Sequence, residues 1–166
     1  MNTPIEKEII IKTEINKEKI LFVCSGNTCR SPMCAALFNH KYAGLTRVGI
    51  SAGLSADGSA ISPNALFALR EYGVKVSSVN DYKTHVSVSV DEQTIRDSSL
   101  VVGVTSAHAL TLISRFPEYA SKITSFSKDI FDPFGGDDEI YAYCLKTIDS
   151  ALSEMFTEDK DEFHDN

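Results

Sequence analysis

In residues 19–24, KILFVC, a lysine leads into an unbroken run of large apolar side chains closed by a cysteine, and the stretch that follows, SGNTCRSPM, turns at once to small and polar types. A run without polar alternation has no face to offer water, so it suits a strand covered on both sides, as in a parallel sheet flanked by helices. Ser31-Pro32 then opens a helix, because proline is tolerated in the first turn, with Met33, Ala36, Leu37 and His40 on one stripe as far as Gly44. Residues 46–53 (TRVGISAG) read as a second strand, and residues 62–73 (SPNALFALREYG) repeat the Ser-Pro entry with a glycine exit. DEQTIRDSS predicts a short helix, residues 100–105 (LVVGVT) a third buried strand, SAHALTLISRF another helix, and residues 122–126 (KITSF) a fourth strand. In the last helix Ile140, Cys144, Ile148, Ala151, Leu152 and Met155 share one stripe of the helical period. Four strands separated by helices predict an open three-layer α/β/α fold with a four-stranded parallel sheet. Ligands of such sheets bind beyond the carboxyl ends of the strands, and Cys24 stands at one of these ends.

The chain has 166 residues, enough for one well-buried core, and the strand and helix pattern occupies residues 19–156. Residues 1–18 read as an appended segment in which Ile9 to Ile11 offer a short edge strand but the surrounding charges favour a mobile extension. Residues 157–166 read as a solvated acidic tail. A formal charge of −7 argues against a nucleic-acid partner, which needs a basic face. The N-terminal residues carry only a three-residue apolar run, so neither a signal peptide nor a membrane span is expected, and the expected compartment is the cytoplasm. Four cysteines in a reducing compartment point to catalysis, metal binding or burial rather than to a disulfide framework.

Five residues, Ser25, Gly26, Asn27, Thr28 and Cys29, separate Cys24 from Arg30 and join a strand end to a helix start, where consecutive N–H groups can turn inward around an anion. Gly26 and Asn27 tolerate the positive φ such a loop requires. Arg30 adds a planar fork that can grip two phosphate oxygens. Cys24 then lies beneath the phosphorus, and a helix N-terminus with a guanidinium nearby favours the thiolate, the nucleophilic form. Ser31 is placed to donate its hydroxyl to that thiolate. Attack on a phosphate ester or phosphoramidate also needs a proton for the departing group. Asp132-Pro133-Phe134-Gly135-Gly136 follows the fourth strand and supplies a carboxyl at the same sheet edge, with Asp129 as a competitor and Asp137 and Asp138 reading as first-turn acids.

Cys24, Cys29, Cys34 and His40 also make C-x4-C-x4-C-x5-H, outside the usual zinc spacings, and a helix separates Cys34 from His40 by roughly 240°. Cys34 and Cys144 read as small apolar packing residues, and His40, His85 and His108 as ordinary helix or loop residues. Cys29 shares the loop with Cys24, and either a reversible Cys24–Cys29 disulfide or simple packing accounts for it.

The loop and the Asp-Pro segment, in that order, resemble the low-molecular-weight protein tyrosine phosphatase family, over about residues 19–156. The resemblance implies a metal-independent, cofactor-free hydrolase acting on phosphorylated proteins, with Cys24 as nucleophile, Arg30 and the loop amides on the equatorial oxygens, and Asp132 as acid and then base. It also implies a supporting hydrogen bond between Ser51 and Asn27. Thr28 stands where tyrosine phosphatases of the family often carry isoleucine, and Phe134-Gly135-Gly136 where they carry paired tyrosines; both departures are similar to the bacterial protein arginine phosphatases, in which that threonine is associated with phosphoarginine recognition. An arsenate reductase of the same fold needs further cysteines on a downstream segment, and none occurs between Cys34 and Cys144. Arg30 and Asp132 favour hydrolysis over a phosphocarrier's stable storage of phosphocysteine, and a non-enzymatic phosphate-binding module would bind the anion with no burst of product and no trapped phosphocysteine.

Overall fold

A computed structural model describes residues 2–15, 17–44 and 46–156. Strands β1 (Glu18–Cys24), β2 (Arg47–Gly53), β3 (Leu100–Gly103) and β4 (Ile123–Ser125) form one sheet in the order β2-β1-β3-β4, with every neighbouring pair parallel. Leu21 of the central β1 pairs with Ile50 on one side and Val101 on the other. The period of two sorts β1 between two cores. Ile20, Phe22 and Cys24 join the cluster built with α2 (Arg30–Lys41), α3 (Pro63–Tyr72) and α6 (Asp138–Met155), whereas Leu21 and Val23 join the one built with α4 (Glu92–Asp97) and α5 (Ser106–Arg115). These are the three layers that the apolar run demands.

The chain leaves β1 toward β2 but leaves β3 toward β4, on the opposite side. The loops after β1 and β3 therefore diverge and open a crevice at the carboxyl edge of the sheet, the usual ligand position in such folds. Helix α3 runs from the Ser62-Pro63 entry to Gly73, whose φ of 88° closes it in the left-handed conformation that glycine adopts without steric cost.

Three expectations are corrected. Residues 9–11 are not an edge strand: helix α1 spans Pro4–Ile15. Its start is a capping box, in which the Glu6 amide donates to Thr3 Oγ1 at 3.2 Å and the Thr3 amide to Glu6 Oε2 at 2.6 Å, with proline at the first helical position. The Lys12–Glu8 pair at 2.9 Å adds one turn-to-turn contact, and residues 4–12 of the helix are exposed. In α6 the apolar stripe begins at Tyr141, 3% exposed, and not at Ile140, 42% exposed, because the first turn of the helix projects past the sheet edge and Tyr141 is the side chain that turns under the loop after β1. His40 lies on the exposed last turn of α2, off the stripe that buries Met33, Ala36 and Leu37.

Candidate active site

The loop between β1 and α2 is organised around Asn27, which is fully buried and holds a φ of 58°. Asparagine tolerates this left-handed conformation far better than branched or bulky residues. Gly26 does not use positive φ, so the left-handed turn that the loop needs falls on the asparagine alone. Its side chain is saturated: Nδ2 donates to Ser31 Oγ at 2.8 Å and to Ser51 Oγ at 2.9 Å, and Oδ1 accepts from the Val88 amide at 3.0 Å. Its carbonyl accepts from His85 Nε2 at 2.8 Å, and its amide donates to Cys24 Sγ at 3.3 Å. Gly53 lies directly beneath; a Cβ there would stand 2.6 Å from the Ser25 carbonyl oxygen and 3.0 Å from Asn27 Cβ, so only glycine lets β2 approach the loop this closely.

Cys24 Sγ lies 3.0 Å from Ser31 Oγ, whose hydroxyl also reaches the Ala52 carbonyl at 3.3 Å. Ser31 Oγ accepts from Asn27, so its single proton is shared between the sulfur and the Ala52 carbonyl; turned to the sulfur, it gives Sγ, with the Asn27 amide, two donors suited to a thiolate. No side chain caps α2 at Cys29, so the first amides of the helix remain available beside the loop. Arg30 is buried, with Nη1 donating to the Ile130 carbonyl at 3.2 Å and Nη2 lying 3.6 Å from Asp132 Oδ2. That pair joins the loop after β1 to the loop after β4.

Asp132 is 58% exposed, accepts from the Phe134 amide at 3.1 Å, and faces the crevice mouth beside Phe134, which is 80% exposed. The competing carboxylates are occupied elsewhere. Asp129 accepts from the Ser106 amide at the start of α5 at 2.7 Å, and Asp137 caps α6 by accepting from the Ile140 amide at 3.0 Å. Thr28 is half-buried; its hydroxyl makes one long contact, 3.7 Å to Cys29 Sγ, and its carbonyl accepts from the Ser62 amide at 2.9 Å. Cys29 Sγ instead meets Tyr141 Oη at 3.3 Å, and burial followed by that sulfur pushes the Tyr141 phenol up to about 12. Burial likewise drives Cys34 well above its ordinary thiol value and Cys144 to about 12. All four cysteines are buried free thiols, and among the described residues no group of three or more His, Cys, Asp or Glu side chains could hold a metal ion.

Three loop partners escaped the sequence reading. His85 grips the Asn27 carbonyl, Tyr141 backs Cys29, and His108 Nε2 lies 2.9 Å from Ser25 Oγ. Only His108 left a trace in the sequence, since SAHAL directly follows the strand that borders β1 and its first turn must therefore face the same crevice.

A cysteine held by a serine and an amide, a buried guanidinium on the same loop and a carboxylate across from it can transfer a phosphoryl group through sulfur. The chain is 33% identical to a protein-arginine-phosphatase of Geobacillus stearothermophilus over 144 residues, 82% of this chain and 93% of that protein. It is 30% identical to an arsenate reductase of Halalkalibacterium halodurans over 135 residues, 81% and 90% of the two chains. The fold superposes on the YwlE arginine phosphatase, solved as a cysteine-to-serine variant with a phosphorylated active-site serine, with a TM-score of 0.73 at 31% identity over 86% of this chain and 95% of that one. Residues 19–164, which include every side chain of the site, match the low molecular weight phosphotyrosine protein phosphatases, and the chain belongs to that family.

Proposed function

We propose that this chain is a cysteine-dependent protein phosphatase that hydrolyses phosphoarginine in proteins. The observation that carries the reading is the pairing of the Cys24–Ser31–Asn27 arrangement with Asp132, 3.6 Å from the loop guanidinium. Cys24 Sγ attacks phosphorus while Arg30 and the loop amides take the equatorial oxygens. As the S–P bond forms, the P–N bond breaks and Asp132 delivers its proton to the departing nitrogen. Asp132 then removes a proton from water, water attacks phosphorus, and the S–P bond breaks to return a thiolate stabilised by the Ser31 hydroxyl. The departing guanidine is strongly basic, its conjugate acid having a pKa of about 13.8, so it leaves far more readily when Asp132 protonates it.

The arginine preference rests on Thr28 and on likeness to a named arginine phosphatase. With one contact of 3.7 Å, the Thr28 hydroxyl has capacity left for a guanidinium or a water beside it, and Phe134 supplies one aromatic face where two would be needed to enclose a phenol ring. Arsenate reduction is disfavoured because Cys34 and Cys144 lie in the core, held as thiols by burial, and no cysteine stands on an exposed downstream segment among the described residues. Four free thiols fit a reducing compartment, which we take to be the cytoplasm; no described helix is long and apolar enough to cross a membrane.

The test is kcat/KM for matched peptides carrying phosphoarginine or phosphotyrosine, with wild-type protein and Thr28→Ile. The expected result is a wild-type preference for phosphoarginine that moves toward phosphotyrosine in the variant. A wild-type preference for phosphotyrosine would make the protein a tyrosine phosphatase and leave Thr28 only a loop-packing role.

A further inference from the structure

We propose that His108 is a positioning residue for the phosphate loop: fixed by Thr105, its neutral ring donates from Nε2 to Ser25 and so holds the first residue after the nucleophile. The inference rests on the reading of Cys24 as the nucleophile.

The proton inventory supports it. Thr105 caps α5, its Oγ1 accepting from the His108 amide at 3.2 Å, and the same oxygen lies 2.7 Å from His108 Nδ1. Oγ1 keeps a second lone pair, so the contact fits either tautomer; in the one assigned here the Thr105 proton goes to Nδ1, which is then the unprotonated nitrogen. The ring proton therefore sits on Nε2 and points at Ser25 Oγ, 2.9 Å away. Ser25 is gripped a second time where its carbonyl accepts from the Ser55 amide at 2.9 Å. With Oγ and carbonyl both anchored, the Ser25 amide, the first N–H beyond Cys24, keeps a set direction. Its hydroxyl proton stays free at the crevice mouth, because Oγ acts as an acceptor toward the histidine.

Protonation would undo this order. A proton on Nδ1 would compete with the Thr105 hydroxyl for the same space and turn it away. It would also place a second cation opposite Arg30. The charges that face the ring are Arg30 at the start of α2 and Asp129 and Asp132 on the loop after β4. Burial, then Arg30, hold the ring below the ordinary 6.5, and the two carboxylates pull the other way more weakly. The ordered neutral form is therefore present at neutral pH and is lost as pH falls through the depressed value, which puts His108 in the acid limb of activity.

Two readouts on wild type, His108→Ala, His108→Gln, Ser25→Ala and the His108→Ala/Ser25→Ala double variant test this. One is kcat/KM on p-nitrophenyl phosphate across about pH 5–9; the other is the equilibrium Kd for vanadate over the same range. Losing the hydrogen bond should reduce kcat/KM and weaken vanadate by about 10-fold in His108→Ala. The double variant should be no worse than that single one, because both changes remove the same contact. Glutamine, whose amide can donate to Ser25 without titrating, should recover most of the loss and shift the acid limb. Independent, multiplicative losses in the double variant, or an unshifted acid limb in His108→Gln, would overturn the proposal. If His108→Ala does not fold, as read by its thermal transition, glutamine's acid limb and Ser25→Ala decide the question. Should wild type bind vanadate yet turn nothing over, the phosphatase reading fails while the vanadate series still decides the role of His108.

Discussion

Replacing Asn27 separates what the loop contributes to stability from what it contributes to chemistry. Alanine removes three side-chain hydrogen bonds, to Ser31, Ser51 and the Val88 amide, inside a fully buried site. At about 1 kcal/mol each these sum to roughly 3 kcal/mol. A Cβ-bearing residue without asparagine's local tolerance, held at φ 58°, adds about 1–2 kcal/mol. The total of about 4–5 kcal/mol corresponds to a thermal midpoint lower by about 8–20 °C for a chain of this length. Asn27→Asp is the contrasting change: it keeps the shape, the turn and the acceptor for Val88, but its second oxygen must take a proton from Ser51 and from Ser31. The Ser31 hydroxyl is then diverted from Cys24 Sγ, and a negative charge stands next to the sulfur. Its stability loss should be the smaller of the two, while its kcat/KM on p-nitrophenyl phosphate falls at least about 100-fold, the scale of a lost transition-state donor. Calorimetry and steady-state kinetics on the three proteins read both quantities. An aspartate variant with near wild-type turnover would refute the argument that Ser31 serves the sulfur through the orientation Asn27 imposes.

Two other perturbations bear on the same loop. Cys24→Ser should abolish turnover while keeping vanadate binding within a few-fold, since the loop amides and Arg30 remain; undiminished turnover would remove the proposed mechanism. Gly53→Ala drives a methyl to within 2.6 Å of the Ser25 carbonyl and must lift the loop, so vanadate affinity should drop by at least about 10-fold with the protein still folded, and unchanged affinity would show that β2 yields instead.

Much of this molecule was legible because the period of its apolar residues matched its elements. The run at residues 20–24 gave a strand buried on both faces, and the Ser-Pro entries gave two helix starts, all within two residues of the observed bounds. That the loop and Asp132 share one sheet edge was legible because each follows a strand of a parallel sheet. Helix α1 is marked by the capping box Thr3-Pro4-Ile5-Glu6 with proline in place, whereas the β-branched run Ile9–Ile11 points to a strand; the cap decides. At the first turn of α6 the helical period points to Ile140, and only the position of the loop after β1 decides that Tyr141 is the side chain buried. His85 and His108 could not be paired with their loop partners from spacing: the bonds span 58 residues from Asn27 to His85 and 83 from Ser25 to His108, separations that only the order of the strands resolves.

The contact between Arg30 and Asp132 sets up a competition that the proposed reaction must resolve. The guanidinium already donates to the Ile130 carbonyl, and its Nη2 faces Asp132 Oδ2 at 3.6 Å, so an arriving phosphate dianion draws on the same fork and repels the same carboxylate. Asp132 is more exposed than not, and a pair of this kind contributes at most about 1 kcal/mol. Removing its charge with Asp132→Asn should therefore tighten vanadate binding by about 2- to 5-fold, the value that free energy allows. The same substitution removes the proton donor and should lower kcat by about 100- to 10,000-fold on substrates with poor leaving groups, and far less on p-nitrophenyl phosphate, whose leaving group departs without help. Binding and turnover then move in opposite directions in one variant. Weaker vanadate binding would mean that Asp132 holds the guanidinium in place for the phosphate, and the carboxylate would have to be counted as part of the cradle rather than as its competitor.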